Sequence, residues 1–462
     1  MRTVLTIDPT TEIDPDLKTQ CMQVKVERHP VNVPMMTAAQ RLELAPPQLP
    51  DWSVANSVKA RGLLLRSALR KHAGIAGVLD NLALTAKGSV SPIYVKLFEG
   101  DAELLTWEAL CDVSGAFVAL DRRWPIGRIT DPATTKSRNE PRFGPSARVF
   151  AVISALGVTG QLREWQHLRD AVASAWAGGL DVRLRVLVGE KALFHTITQE
   201  IALGLPWAEV GSVAGSGSRL TTDIKRWQPN IVHFFCHGAA EGGRQWLEFG
   251  TATDYTNPAP GKTGSVTIEA DQVVNLGVDL DNPWLMTLNC CEGARPTDDL
   301  TSIAHQVVSA AFPAAIAMLE PVDAKDAHEF TRALYGSLFP ELTKVADALK
   351  TAPKAEFEWA AILHEARVAV NTLHQLDSAG RKEWVVPALY VRGVDPMKFE
   401  RPPAAESAVD TTRYLTTARM VAEWLVGVRG SMPEDKRREV MDEVLAGVPA
   451  QYRPDVDGIL RG

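Results

Sequence analysis

The sequence predicts an α/β fold: a mainly parallel sheet flanked by helices, with a small all-α appendix at the C-terminal end. Two observations carry this. Between Arg148 and Gly393 short apolar runs alternate with segments of helical periodicity, the signature of strands joined by covering helices. Beyond a Pro- and Ala-rich stretch from Arg401 to Glu406 only helical periodicity remains.

The strands, in order, are RVFAVIS, VRLRVLV, IVHFFC, WLMTLN, AAIAML and ALYVRG. Helices are expected over 162–176, 194–203, 220–227, 300–312 and 324–338. In the third of these Leu220, Ile224 and Trp227 share a face at i, i+4 and i+7, and in the last Ala327, Phe330, Leu334 and Leu338 do so. Upstream, IYVKLF reads as a further strand, followed by a turn at Gly100-Asp101 and by LLTWEAL, before a polar stretch from Gly127 to Pro145. Residues 1–90 offer a strand over Val24–Val31, a break at Pro46-Pro47 and Pro50, and a helix over Asn56–His72, with no functional signal. The expected units are therefore 1–90, 91–397 and 405–462. In the last, Leu415, Ala418, Ala422 and Leu425 mark one amphipathic helix, and Met441, Val444, Leu445 and Val448 a second behind the capping-box pattern Ser431-x-x-Glu434.

Composition excludes several function classes. A chain of 462 residues with 45% apolar content buries more than one core. Its net charge of -7 leaves no basic surplus for a phosphate backbone, so nucleic acid is not an expected partner. Five cysteines, two of them adjacent and none in a C-x-x-C pair, suit a reducing cytoplasm better than a disulfide framework. There is no signal-peptide h-region and no run of eighteen apolar residues. Gly261-Lys262-Thr263 lacks the first glycine of a phosphate-binding loop, Gly215-Ser216-Gly217 lacks the third of a dinucleotide fingerprint, and H-E-x-x-H is missing. No metal, nucleotide or other cofactor is implied.

Two strand ends carry chemistry. A cysteine nucleophile needs an imidazole within reach and donors aimed at the developing oxyanion. IVHFFCHG ends in His237-Gly238 and WLMTLNCCEG ends in Cys290, Cys291 and Glu292-Gly293. Ligands of an open parallel sheet bind beyond the carboxyl ends of its strands, so neighbouring strands with these endings bring base and nucleophile together. Alone, either residue reads as core packing. By the period of two, Cys236 points away from His237, and His233 faces a helix or the core.

These segments resemble the CHAT domain, a caspase-like branch of the caspase–separase cysteine proteases. HFFCHG is similar to the family's H-F-x-x-H-G, LNCCEGA to its L-N-A-C-E-x-G, LLTWEAL to its P-W-E-L element and PALYVRG to its closing strand. The resemblance covers about Ile93 to Gly393. It implies a caspase-like sheet, His237 as general base, Cys291 as nucleophile with Cys290 at the family's alanine position, and an oxyanion hole from the N–H groups of Gly238 and Cys291. Pro313 and Glu320 depart from the family's glycine and tryptophan there. The acids Glu320, Asp323 and Asp326 follow the next strand and are candidates to line a pocket for a basic side chain, or a solvated helix start. The resemblance further implies an endopeptidase acting on a protein partner, in a bacterial stress or antiphage pathway. The C-terminal helices, outside the resemblance, then read as a recruitment or oligomerisation module for an activator or adaptor, or as a flap stabilising the protease. A catalytically silent scaffold of the same fold, and an amidase or acyltransferase using the same dyad, are the alternatives.

Overall fold

Every apolar run read as a strand between residues 148 and 393 is one in the computed structural model. The structure describes the chain except residues 1, 18, 30–37, 83–87, 99, 131–139, 242–243, 291–298, 402–414, 416–417, 427–431, 447–452 and 462. In chain order the strands and helices are β1 (Thr3–Ile13), β2 (Gln20–Arg28), β3 (Gln40–Leu42), α1 (Ser57–Arg70), α2 (Ala73–Asn81), β4 (Ile93–Leu97), β5 (Ile126–Thr130) and β6 (Ala147–Ile153). They continue with α3 (Gln161–Ala177), β7 (Val182–Val188), α4 (Lys191–Ala202), β8 (Ala208–Ser212), α5 (Gly217–Trp227), β9 (Ile231–Glu241), β10 (Arg244–Phe249), α6 (Ala252–Thr256), β11 (Val266–Glu269) and α7 (Ala270–Asp279). Then follow β12 (Leu285–Cys290), α8 (Asp299–Ala310), β13 (Ala314–Met318), α9 (Ala324–Thr351), β14 (Lys354–Phe357), α10 (Trp359–Leu373), β15 (Pro387–Arg392) and β16 (Met397–Glu400).

Among the described residues one sheet takes fourteen of these strands, in the order β3-β2-β1-β4-β5-β15-β13-β12-β9-β6-β7-β8, with β10 attached to β9 and β11 to β10. The sheet consists of two parallel blocks of opposite polarity. β1, β4, β5 and β15 run together, as do β13, β12, β9, β6, β7 and β8. The blocks meet antiparallel where β13 pairs β15, with Met318 opposite Pro387. The first ninety residues extend the same sheet through β1 to β3.

Strict alternation sends the side chains of each central strand to two separate cores. On β9, Ile231 and Phe235 pack with α3, α9 and α10, while Val232, Phe234 and Cys236 pack with α5, α7 and α8. Strands buried on both faces need apolar residues at nearly every position, which is why they read as unbroken runs. The helix expected over 324–338 continues to Thr351 through Pro340. A proline usually ends a helical reading, but here Leu342, Val345 and Leu349 carry the buried stripe onward and that burial outweighs one missing backbone bond. At the C-terminal end residues 418–426, Glu434–Ala446 and Arg453–Arg461 are helical. They gather Ala418, Val456 and Leu460 into a small core of their own. Among the described residues no helix is long and apolar enough to cross a membrane.

Candidate active site

β9 and β12 lie side by side, parallel and in register, and their last pair is Cys236 with Cys290. The residues that follow each in sequence are His237 and Cys291. Cys291 lies outside the described residues, and with it one of the two expected oxyanion donors. Beyond Cys236 the β9 strand leaves β12 and forms a hairpin with β10, which places Gly238 opposite Leu247 and His237 opposite Glu248.

The imidazole of His237 is 2% exposed. Its Nε2 lies 2.8 Å from the carbonyl oxygen of Leu156. A carbonyl only accepts, so Nε2 carries the hydrogen and Nδ1 is the basic nitrogen of the neutral ring. Nδ1 is shielded from solvent and has no hydrogen-bond partner among the described residues. The segment after β6 that carries Leu156 is itself tied down: the Ser154 N–H donates to the Phe235 carbonyl at 2.8 Å and the Ser154 hydroxyl to the Gly250 carbonyl at 2.6 Å. Burial holds the His237 pKa below its ordinary 6.5, opposed by the Leu156 hydrogen bond and the nearby Glu248 carboxylate. Glu248 is fixed by donors from Trp246 Nε1, at 2.7 Å, and from the Thr263 hydroxyl.

Beneath the two strand ends sits a buried carboxylate. Glu164 of α3 accepts from His233 Nε2 of β9 at 2.9 Å, His328 Nδ1 of α9 at 2.7 Å, the Thr331 hydroxyl at 2.6 Å and Asn289 Nδ2 of β12 at 3.2 Å. Burial alone pushes its pKa up, but the bonds from His233 and His328 outweigh this and hold it at about 2. One side chain thus joins both chemistry-bearing strands to helices on the same face. His233 faces α3 rather than the strand ends, and the asparagine of the N-C-C-E segment orients β12 and does not enter the dyad. Gly160, which caps α3, has φ +88° and a Cβ there would lie 2.8 Å from His328 Nε2, so no larger residue fits beside this network.

The three acids expected as a pocket part company. Glu320 accepts from Trp52 Nε1 at 2.8 Å and pairs with Lys382 at 3.7 Å. Asp326 is buried against His374 Nε2 at 2.7 Å. Asp323 stands exposed at the cap of α9. In the WEAL segment, Glu108 makes a fully buried ion pair with Arg128 at 2.8 and 2.9 Å, which ties this part of the motif to β5. Sequence reasoning missed Leu156, Glu248 and Glu164. A backbone carbonyl leaves no residue-type signal, Glu164 lies far in sequence from the strands it joins, and Glu248 faces His237 only through the register of the β9–β10 hairpin.

Compared with known proteins, residues 98–361 match the CHAT domain, more than half of the chain. The chain is similar to the Arg-specific cysteine proteinase gingipain R, at 10% identity, covering 77% of this chain and 71% of that one with a TM-score of 0.41. It is similar also to the separase of the Saccharomyces cerevisiae separase–securin complex, at 11% identity, covering 74% of this chain and 17% of that one with a TM-score of 0.31. No curated protein matches it. On the extent of the domain match, the chain belongs to the CHAT-domain family.

Proposed function

We propose that the chain is a cysteine endopeptidase in which Cys291 is the nucleophile and His237 its general base. The observation that carries this reading is the tautomer of His237: its Nε2 hydrogen is spent on Leu156, leaving a buried basic Nδ1 at the strand end next to the last residue paired before Cys291. In the proposed reaction Nδ1 takes the Cys291 thiol proton, and the thiolate attacks the scissile carbonyl carbon. The N–H groups of Gly238 and Cys291 hold the oxyanion. The C–N bond breaks as Nδ1–H protonates the leaving amine, and a water activated by the same Nδ1 hydrolyses the thioester.

Among the three acids, Asp323 is the exposed one and the proposed contact for a basic side chain of the substrate. The partner cleaved is a protein, and the placing of the reaction in a bacterial cytoplasmic stress or antiphage pathway rests on the family resemblance. Exposed Met420, Trp424 and Val426 on the helical residues 418–426 support the C-terminal helices as the place where an activator or adaptor docks. The test is labelling of the full chain with a peptidyl acyloxymethyl ketone, read by peptide mapping, alongside mass spectrometry of new N-termini in a protein mixture. Labelling at Cys291 and cleavages lost in Cys291→Ala are expected. Cleavages that persist in Cys291→Ala would overturn the reading.

A further inference from the structure

Outside the dyad, Asp326, His374 and Glu383 each offer one ligand atom, and these atoms lie within 4.8 Å of one another. They come from three separate segments: the first turn of α9, the C-terminal cap of α10 and the turn leading into β15. None belongs to a short ligand motif, so the sequence implies no metal here. The three segments nevertheless converge at one edge of the sheet. α9 begins after the carboxyl end of β13, and β15 begins opposite that end, with Pro387 facing Met318.

The cluster is short of positive charge. Asp326 is 3% exposed and meets one imidazole, that of His374. Glu383 and Asp323 both act on Asp326 as further negative charges. Glu383 Oε2 is shielded from solvent and has no hydrogen-bond partner among the described residues. Lys382, the neighbouring cation, is turned to Glu320. A buried carboxylate oxygen without a donor, beside a second carboxylate, is a costly arrangement unless a cation completes it.

We propose that Asp326, His374 and Glu383 form a binding site for a divalent zinc ion. One imidazole nitrogen with two carboxylate oxygens suits zinc, whose bonds to both are about 2.0–2.2 Å, whereas calcium and magnesium favour all-oxygen sets. Tetrahedral bonds of that length set ligand atoms about 3.3 Å apart. The Asp326–His374 contact of 2.7 Å therefore opens slightly and Glu383 swings in, movements that side-chain rotation supplies. Water takes the fourth position. Bound zinc pins the start of α9, and the Glu320–Asp323 segment before it, to α10 and the approach to β15.

The experiment uses the full chain carrying Cys291→Ala, so that no thiolate at that position competes for the metal and the result stands apart from the protease reading. Chelator-treated protein is titrated with zinc chloride by calorimetry, with calcium and magnesium chloride in parallel, and its melting temperature is followed. One equivalent of zinc is expected, with a rise in melting temperature and an absorption-edge spectrum showing nitrogen and oxygen ligands only. Glu383→Gln and His374→Gln are each expected to weaken binding at least tenfold. Glu383→Gln, at a half-buried position, should leave the metal-free circular dichroism unchanged. Absence of stoichiometric zinc binding, sulfur in the ligand shell, a preference for calcium, or unaltered affinity in a folded Glu383→Gln protein would each overturn the assignment.

Discussion

His237 donates its Nε2 hydrogen to the carbonyl oxygen of Leu156 at 2.8 Å. The backbone just beyond β6 thereby selects the tautomer of a residue on the neighbouring strand β9. A backbone acceptor survives any side-chain substitution at position 156, so this orientation is robust to mutation there.

Burial depresses the His237 pKa below 6.5 in the folded protein. Between that value and 6.5 the unfolded chain binds more protons at this residue than the folded chain, so its contribution to stability falls as pH falls. The acid limb of proteolysis is accordingly expected to have its midpoint below pH 6.5. Glu248 acts to raise the His237 pKa. Glu248→Gln should therefore shift the acid limb to lower pH in a kcat/KM profile, and an upward shift would show that the carboxylate does not act on the ring.

The neighbouring cysteines test the register. Cys236, the partner of Cys290 across the strand pair, packs into the core with α5, α7 and α8. Cys290→Ala is expected to retain turnover with a stability loss of about 1 kcal/mol. Cys291→Ala and His237→Ala should each abolish it, without additive loss in the double variant. Iodoacetamide labelling with peptide mapping checks the same point, since the thiolate-forming residue reacts first. Activity retained in Cys291→Ala but lost in Cys290→Ala would move the nucleophile by one residue.

Glu164→Gln keeps the shape of the side chain but turns an N–H group toward donors. Removal of a buried charge that accepts from His233, His328, Thr331 and Asn289 should cost about 3 kcal/mol in urea denaturation at neutral pH. The folded pKa of about 2 lies below the ordinary 4.5, so the advantage of wild type is present above pH 4.5 and shrinks as pH falls toward 2. A pH-independent difference would mean that volume, and not charge, sets the loss.

Deletion of residues 405–462 is expected to leave a folded protein with impaired activation or partner binding. The C-terminal core of Ala418, Val456 and Leu460 is separate from the two cores of the sheet. Circular dichroism of the truncated chain decides: an unfolded product would make these helices a stabilising flap.

β6, β9, β12 and β13 were legible because burial on both faces leaves an unbroken apolar run, and β7 by its apolar alternation, whereas the largely open β8 was not read; His237 and Cys291 became candidates because they directly follow two such runs. β1 was not read as a strand, since Pro9 and the polar residues Thr10 to Glu12 interrupt its pattern. The continuation of α9 past Pro340 depended on tertiary burial that no local rule registers. The sheet's change of polarity at β13–β15 left no trace, because a parallel and an antiparallel buried strand have the same composition. Asp326 read as a pocket acid from its place after β13; its partner His374 is far away in sequence and only the fold brings the two together.

The seam between the two blocks has a consequence for biosynthesis. β5 finds its neighbour in β15, with Arg128 and Tyr390 paired across 262 residues of sequence. At ribosomal speeds of about 5–20 residues per second, the β5 edge emerges roughly 13–50 s before the strand that covers it. Over that interval a parallel edge of apolar residues and the guanidinium of Arg128 await completion. The half of the molecule made first is thus the half closed last, and nascent chains stalled before residue 387 should bind chaperones that chains released after residue 392 do not.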